Sequence, residues 1–312
     1  NLYTTTANVY YTTLADSSIT VSGGMKVYAF SDTQNIFDIG AANATVKIDG
    51  EGTELFLEGN NSQRTDSGGL IVINGDNAKV NVTNGALFKS HSTKMGAIVL
   101  QSKNAEFNVD NHAKIQFIQE TDSGYDRGAT IRFRLSGASI FKATNNSQIE
   151  IVKNGGAGKA SAVRMYGNGN AFIVDSGSII TIDNRGDGVL VNPGVDGVNG
   201  GVQFDTSTGD KATFDLKGEG SAIKIVADYG PAIDMQTADA IINIEEGTTF
   251  VASGQTRDAN RAIFNSRGIT VNANKPKYYD FRNNRAGGGN IFSNTTGLFT
   301  STQSDLSVWQ NG

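Results

Sequence analysis

Three arginines and a tyrosine stand at matching places in two neighbouring stretches of the sequence: Arg132, Arg134, Arg164 and Tyr166. A guanidinium group presents parallel donors that match the two oxygens of a carboxylate, and an aromatic face can pack on a sugar ring. If the fold brings these four residues together, the chemistry that they indicate is the binding of a carboxylate-bearing sugar chain.

The arginines belong to a repeated phrase, in which a small residue opens an alternating apolar stretch. The apolar residues that we take as equivalent are Ile71, Ile98, Ile131, Val163, Val202, Ile233 and Ile263, at steps of 27, 33, 32, 39, 31 and 30 residues. A loose period of this length is typical of a solenoid.

Each repeat contains two further apolar pairs with a spacing of two residues. One set is Val80/Val82, Phe107/Val109, Phe214/Leu216, Ile242/Ile244 and Ile269/Val271, and the other is Ile115/Phe117, Ile149/Ile151, Ile180/Ile182 and Ile223/Ile225. Because this spacing directs one face of a strand inward and the other outward, the pattern predicts three short strands per coil. The predicted fold is all-β, a right-handed single-stranded parallel β-helix of about eight coils.

Residue types that tolerate a left-handed backbone lie between the predicted strands: Asn84, Asn111, Asn145, Gly177 and Gly218. We expect them to form sharp corners. The ends of a solenoid expose unpaired strand edges and need caps. We therefore predict an N-terminal cap over residues 1–24, a ligand-binding β-helix over 25–275 and a C-terminal cap over 276–312.

Composition narrows the possible partners. The chain of 312 residues has a formal charge of −5 and no cysteine, which argues against a nucleic-acid binder and excludes disulfides and thiolate metal sites. No apolar run approaches the roughly 20 residues that span a bilayer, so no membrane insertion is expected. The first residues lack the features of a signal peptide, as in a mature or excised chain.

Together with the coil phrase, Tyr-Tyr-Asp-Phe-Arg-Asn-Asn at 278–284 and Ser-Asp-Leu-Ser-Val-Trp at 304–309 resemble the pectate-lyase-like adhesive domains of Gram-positive surface proteins. The chain looks in particular like the ligand-binding region of serine-rich repeat adhesins from lactobacilli. This resemblance implies a secreted β-helix, anchored at the cell wall through other parts of the parent protein. It also implies binding of pectin-type acidic polysaccharide (polygalacturonate or rhamnogalacturonan) and of host epithelial or mucin glycoproteins, without a cofactor.

Alternation along the first strand of each coil predicts that the arginines and Tyr166 point outward. The predicted ligand-binding residues are Arg132, Arg134, Arg164, Tyr166, Lys159, Gln203, Asp205 and Asp234. The alternative interpretation is a solvated ladder in which the arginines pair with Asp205 and Asp234 or with acidic residues of the loops. Because protonation of those carboxylates would favour a polyanion, we expect tighter binding at mildly acid pH.

The leading enzyme alternative is a calcium-dependent polysaccharide lyase, with Asp205 and Asp234 near the cation and Arg164 as the base. Calcium takes 6 to 8 oxygen ligands, and too few acids converge on this face, so we predict neither a metal site nor catalytic residues. His91 and His112 are expected at corners or on the surface. A third possibility is a rigid spacer or protein-binding module, and we interpret Arg185-Gly186-Asp187 as part of a glycine-rich insertion rather than an integrin-binding tripeptide.

Overall fold

The protein, here a computed structural model, consists of three parallel β-sheets wound into a solenoid. The structure describes residues 2–4, 8–59, 68–120, 128–134, 137–155, 160–186, 188–191, 200–205, 211–235, 240–258, 264–266, 270–294, 298–302 and 306–310. Over these residues the sheets have ten, ten and eleven strands, and each strand pairs with the strand three positions further along the chain. This topology confirms the predicted parallel β-solenoid.

The strands are named in chain order. Sheet 1 contains β2 (Tyr10–Thr12), β5 (Phe37–Ile39), β8 (Gly69–Ile73), β11 (Gly96–Leu100), β14 (Ile131–Phe133), β17 (Val163–Met165), β20 (Val202–Phe204), β23 (Ile233–Met235), β26 (Phe264–Ser266) and β29 (Phe292–Asn294). Sheet 2 contains β3 (Ser18–Ser22), β6 (Thr45–Asp49), β9 (Lys79–Thr83), β12 (Glu106–Asp110), β15 (Ile140–Ala143), β18 (Ala171–Val174), β21 (Thr213–Leu216), β24 (Ile241–Ile244), β27 (Thr270–Asn274) and β30 (Leu298–Thr302). Sheet 3 contains β1 (Leu2–Thr4), β4 (Lys26–Ser31), β7 (Glu54–Gly59), β10 (Leu87–Ser92), β13 (Lys114–Gln119), β16 (Gln148–Lys153), β19 (Ile179–Asn184), β22 (Ala222–Ala227), β25 (Thr249–Gly254), β28 (Tyr278–Asn283) and β31 (Leu306–Gln310).

The predicted register of the first strands is confirmed from Ile71 to Ile233. It is wrong by one residue in the following coil, because Ile233 pairs with Phe264 and not with Ile263. The second strand of that coil is also displaced, since Ile242 pairs with Val271 rather than with Ile269. The apolar pattern around both positions is compatible with either register.

Inward side chains from all three sheets fill one continuous core. On sheet 2 the rings of Phe107, Phe141, Phe172 and Phe214 stack along the axis, with successive centroids 5.2, 4.9 and 4.9 Å apart. Stacked rings contribute beyond the apolar area that they bury. The core therefore reinforces the same axial repeat that the strand hydrogen bonds define.

Two of the small residues that open the first strands have a steric cause. A Cβ atom on Gly96 would lie 2.2 Å from the carbonyl oxygen of Ala129, and one on Gly201 would lie 2.6 Å from that of Ala232. At Gly201 the Cγ2 atom of Ile225 is closer still, at 2.2 Å. These contacts explain why glycine stands at these two positions of the sequence repeat.

The predicted caps are not confirmed. Within 1–24, β2 and β3 pair in parallel with β5 and β6, and within 276–312, β28 pairs with β25 and β31. The described strands of both ranges therefore extend the sheets. A right-handed winding stays a prediction, in keeping with the usual hand of parallel crossover connections.

The predicted corners between sheets 2 and 3 have left-handed backbone, with φ of 57°, 51° and 53° at Asn84, Asn111 and Asn145. A second series follows sheet 1, where the side-chain amide of Asn77 donates to Asn43 at 3.2 Å and that of Asn104 donates to Asn77 at 3.0 Å. Asparagine tolerates this conformation because its short polar side chain forms local hydrogen bonds. These ladders tie successive corners together.

In the next coil of this second series, the left-handed corner position is held by Ala138, with φ 55°, and not by an asparagine. Because alanine pays a steric cost in left-handed backbone while asparagine is partly compensated, Ala138→Asn should stabilise the protein by roughly 1 kcal/mol and extend the ladder from Asn104. The measurement is the melting temperature. Ala138→Val is the matched control and should lower it, because a β-branched residue is least compatible with positive φ. Equal or lower stability of Ala138→Asn would contradict this account.

Candidate ligand-binding site

The outward residues in the middle of the sheet 1 strands form one continuous row, which we call the strand row: Val72, Val99, Arg132, Arg164, Gln203 and Asp234. Arg132 and Arg164 retain only 6% and 7% of their accessible surface. The sheet 1 strands over this row are buried on both faces, unlike the alternating strands of sheets 2 and 3. The solvated arginine ladder considered above is therefore not what the structure shows at Arg132 and Arg164.

A second row, which we call the rim row, lies one step beyond the strand ends: Asn74, Gln101, Arg134, Tyr166 and Asp205. Backbone hydrogen bonds keep it in register, since the amides of Arg134, Tyr166 and Asp205 donate to Leu100, Phe133 and Met165 respectively. Tyr166 is 38% exposed, and Arg134 and Asp205 are half-buried. The rim row thus meets solvent where the strand row does not.

Four predicted ligand-binding residues, two from each row, line a single pocket of about 230 Å³: Arg132, Arg134, Arg164 and Tyr166. The register of β14 and β17 explains this convergence, because Arg132 pairs directly with Arg164. Side chains on adjacent parallel strands are about 4.8 Å apart along the axis. The arrangement places two buried guanidinium groups, a half-buried one and a partly exposed phenol ring around one small volume.

Two of the pocket arginines have partners on the rim. Nη1 of Arg134 donates to Oε1 of Gln101 at 2.8 Å, and the guanidinium of Arg164 forms an ion pair with the carboxylate of Asp205. The side chain of Arg164 is 8% exposed and that of Asp205 is 25% exposed. One of the two interpretations of the sequence paired the arginines with acids such as Asp205. That pairing is present at Arg164, but the arginine is largely buried and not solvated.

Among the other predicted ligand-binding residues, the described ones, Gln203, Asp205 and Asp234, are not part of the lining of this pocket. Gln203 and Asp234 are 2% and 0% exposed, so their side chains offer no surface to a ligand here. Oε1 of Gln203 is buried and has no hydrogen-bond partner among the described residues. Lys159 lies outside the described residues.

The backbone behind the pocket is held by a buried asparagine that sequence reasoning missed. The side-chain amide of Asn170, which is 0% exposed, donates to the carbonyl oxygens of Tyr166 at 2.6 Å and Gly167 at 3.3 Å. Its Oδ1 accepts from the amide of Ser139 on the neighbouring coil at 2.9 Å. Asn170 therefore connects the pocket's rim to the corner of the preceding coil, and a buried amide in a turn gives no periodic signal from which to find it.

The described residues also bear on a metal site, on a membrane span and on the Arg-Gly-Asp tripeptide. Among the described residues no group of three or more His, Asp or Glu could hold a metal ion. No helix in the described part of the chain is long and apolar enough to cross a membrane. Arg185 pairs with Asp183 at 3.1 Å, whereas Asp187 of the Arg-Gly-Asp tripeptide lies outside the described residues.

The two histidines lie away from the pocket. His112 occupies a left-handed corner at φ 60°. His91 is on the outward face of sheet 3, where its Nε2 is 3.0 Å from Oε1 of Glu120 and its Nδ1 is 3.4 Å from Oε1 of Glu58. Sequence reasoning placed these histidines at a corner or on the surface but missed the two glutamates beside His91, which are 33 and 29 residues distant in the chain.

Comparisons with protein-family models, with curated proteins and with solved structures each give no match.

We expect Glu120, beside His91, to make a pH-dependent contribution to stability. The side-chain amide of Asn154 and then His91 lower the pKa of Glu120 below its usual value. A carboxyl group with a lowered pKa in the folded state stabilises that state above its unfolded pKa, and this contribution is lost as the pH falls through the folded pKa. We therefore expect Glu120→Gln to lower the melting temperature at pH 7 and to have a much smaller effect at pH 3.

Glu246→Gln is the control, because Glu246 is an exposed glutamate in the turn after β24. Thermal unfolding of the three chains at the two pH values measures the difference. A deficit of Glu120→Gln that is equally large at pH 3 would show that the effect does not come from ionisation of Glu120.

Proposed function

We propose that this chain is a non-catalytic domain that binds acidic polysaccharide of the pectin or polygalacturonate type through the arginine pocket. The observation that supports this proposal is the convergence of Arg132, Arg134, Arg164 and Tyr166 on one pocket. In this proposal the domain acts as an adhesin on a bacterial cell surface, and host glycoproteins that carry acidic sugars are further ligands. The adhesin role rests on the sequence resemblance described above.

Burial of the guanidinium groups favours an anionic ligand. Charges interact more strongly where water is largely excluded, and Arg132 and Arg164 are both more than nine-tenths buried. Arg132, Arg134 and Arg164 bring three cationic groups to the lining of one pocket, and Asp205 pairs with one of them. Guanidinium groups match carboxylates in geometry and charge, and this cluster lies in a protein whose formal charge is −5.

The size of the pocket favours recognition of one acidic sugar unit at a time. Pockets for drug-sized ligands usually have about 300–1,000 Å³, and this one has about 230 Å³. A carboxylate directed at the arginines would leave the sugar ring at the rim, where Tyr166 is 38% exposed. Neighbouring units of a chain would then extend along the exposed rim row.

The direct test compares binding of polygalacturonate by the parent chain and by Arg134→Ala/Tyr166→Ala. Both residues lie on the rim, so their truncation leaves the buried strand row intact, and we expect affinity to fall roughly tenfold or more. Lys142→Ala removes a positive charge from β15 on sheet 2 and should bind like the parent chain. Equal affinity of the parent and the double variant would overturn the assignment of this pocket.

The same titration distinguishes binding from cleavage. A lyase would release unsaturated products from polygalacturonate in the presence of calcium, and their absorbance would rise with time. We expect no rise above the rate without protein. A calcium-dependent increase that is lost in Arg164→Ala would replace the adhesin proposal with the lyase alternative.

Binding should be tighter at pH 5 than at pH 7. The chain has a formal charge of −5, and protonation of carboxyl groups at lower pH reduces its repulsion of a polyanion, while the arginines stay charged. The measurement is the dissociation constant for polygalacturonate at constant ionic strength, since salt screens these interactions. Equal or weaker binding at pH 5 would contradict the expected pH dependence.

A further inference from the structure

One feature of the pocket opposes the binding of an anion: the carboxylate of Asp205 already pairs with Arg164. Asp205 follows β20 directly and lies on the rim row in register with Tyr166. The guanidinium of Arg164 therefore faces both the pocket and a carboxylate from its own chain.

The two partners differ in their access to solvent. The side chain of Arg164 is 8% exposed, whereas that of Asp205 is 25% exposed. A nearly buried guanidinium is costly without an anionic or hydrogen-bonding partner, but a carboxylate at the rim can return to water at lower cost. The pair is thus asymmetric, because the aspartate can leave more easily than the arginine.

We propose that Asp205 is a displaceable internal competitor, which occupies Arg164 in the free protein and is replaced by the carboxylate of a bound uronate. This inference rests on the proposed function and adds regulation to the same pocket. The exchange substitutes one carboxylate for another on Arg164, so the buried guanidinium has an anion in both states. Only ligands with a negative group can drive the exchange, and neutral sugars are rejected.

Asp234 does not have this role. It is 0% exposed and lies on the strand row, next to Gln203 rather than next to Arg164. Asp205 is accordingly the carboxylate whose removal should change affinity for an anion. Removal of a residue that contacts the ligand weakens binding, whereas removal of the Asp205 carboxylate should strengthen it.

The test is calorimetric titration of trigalacturonate into the parent chain, Asp205→Asn and Asp205→Glu. Asp205→Asn keeps the shape of the side chain and removes its charge, and we expect roughly three- to tenfold tighter binding. Asp205→Glu restores the competing charge and should bind within about twofold of the parent chain. Asp183→Asn removes the acid of another Arg–Asp pair, Asp183–Arg185 on sheet 3, and should also bind like the parent chain.

Each outcome is decisive. Unchanged or weaker binding by Asp205→Asn, while the parent chain binds trigalacturonate, overturns the inference and leaves the proposed function standing. An equal gain in Asp183→Asn would show that net charge, and not the release of Arg164, is responsible, and would also overturn it. If neither the parent chain nor Asp205→Asn binds, both the proposed function and the inference fail. Melting temperatures within a few degrees of the parent establish that each variant is folded.

Discussion

The structure depends on one constraint, which is that every coil returns to the same axial register as the coil before it. Parallel strands pair through evenly spaced hydrogen bonds, so each residue in a strand has a fixed neighbour above and below. The coils nevertheless differ in length, with steps of 27 to 39 residues between Ile71 and Val202. Register can persist only if the differences are absorbed outside the strands.

The corners absorb these differences unequally. Between sheets 2 and 3 the connection is short throughout, from Thr83 to Leu87 in one coil and from Val174 to Ile179 in another. Between sheets 3 and 1 the connection varies widely, from Ser92 to Gly96 up to Asn184 to Val202. The corner between sheets 2 and 3 carries left-handed asparagine and glycine. The connection between sheets 3 and 1 has to fit a different number of residues in each coil.

Buried polar side chains at the ends of the sheet 3 strands make this variation possible. Gln119, Lys153, Asn184 and Asn283 are each 0% exposed and donate to carbonyl groups of the segment that leads back to sheet 1, respectively those of Gly128, Ala160, Gly200 and Asn290. A buried carbonyl without a partner costs more than a hydrogen bond gains. Side chains of different length at one register position therefore provide hydrogen bonds to the carbonyl groups of connections that differ in length. One of these side chains is a buried lysine.

Periodicity predicted the three-sheet fold, the corner asparagines and the outward direction of Arg132 and Arg164, because all three follow from the alternation of side chains along a strand. It failed at Ile263, where the paired residue is Phe264, one residue further on, and at Ile269, where it is Val271, two residues further on, because an apolar residue stands at both of the possible positions in each case. It also could not show that the arginines are buried, since alternation indicates the face of a sheet but not what lies over it. The Arg164–Asp205 pair links residues 41 positions apart, a distance set by the variable corner and not by the repeat.

The strand row shows how a specific site can arise on a repetitive scaffold. Val72 and Val99 precede Arg132 and Arg164 in the same register, so a backbone position that is apolar in two coils is cationic in the next two. Since the ladder hydrogen bonds are the same in both cases, the change of side chain need not alter the fold, and site and fold are largely independent. What limits such a substitution is the cost of a buried charge, and a rim carboxylate such as Asp205 lowers that cost in the free protein. In the proposed function, the same carboxylate that lets the scaffold carry a buried arginine also sets the selectivity of the pocket for anions.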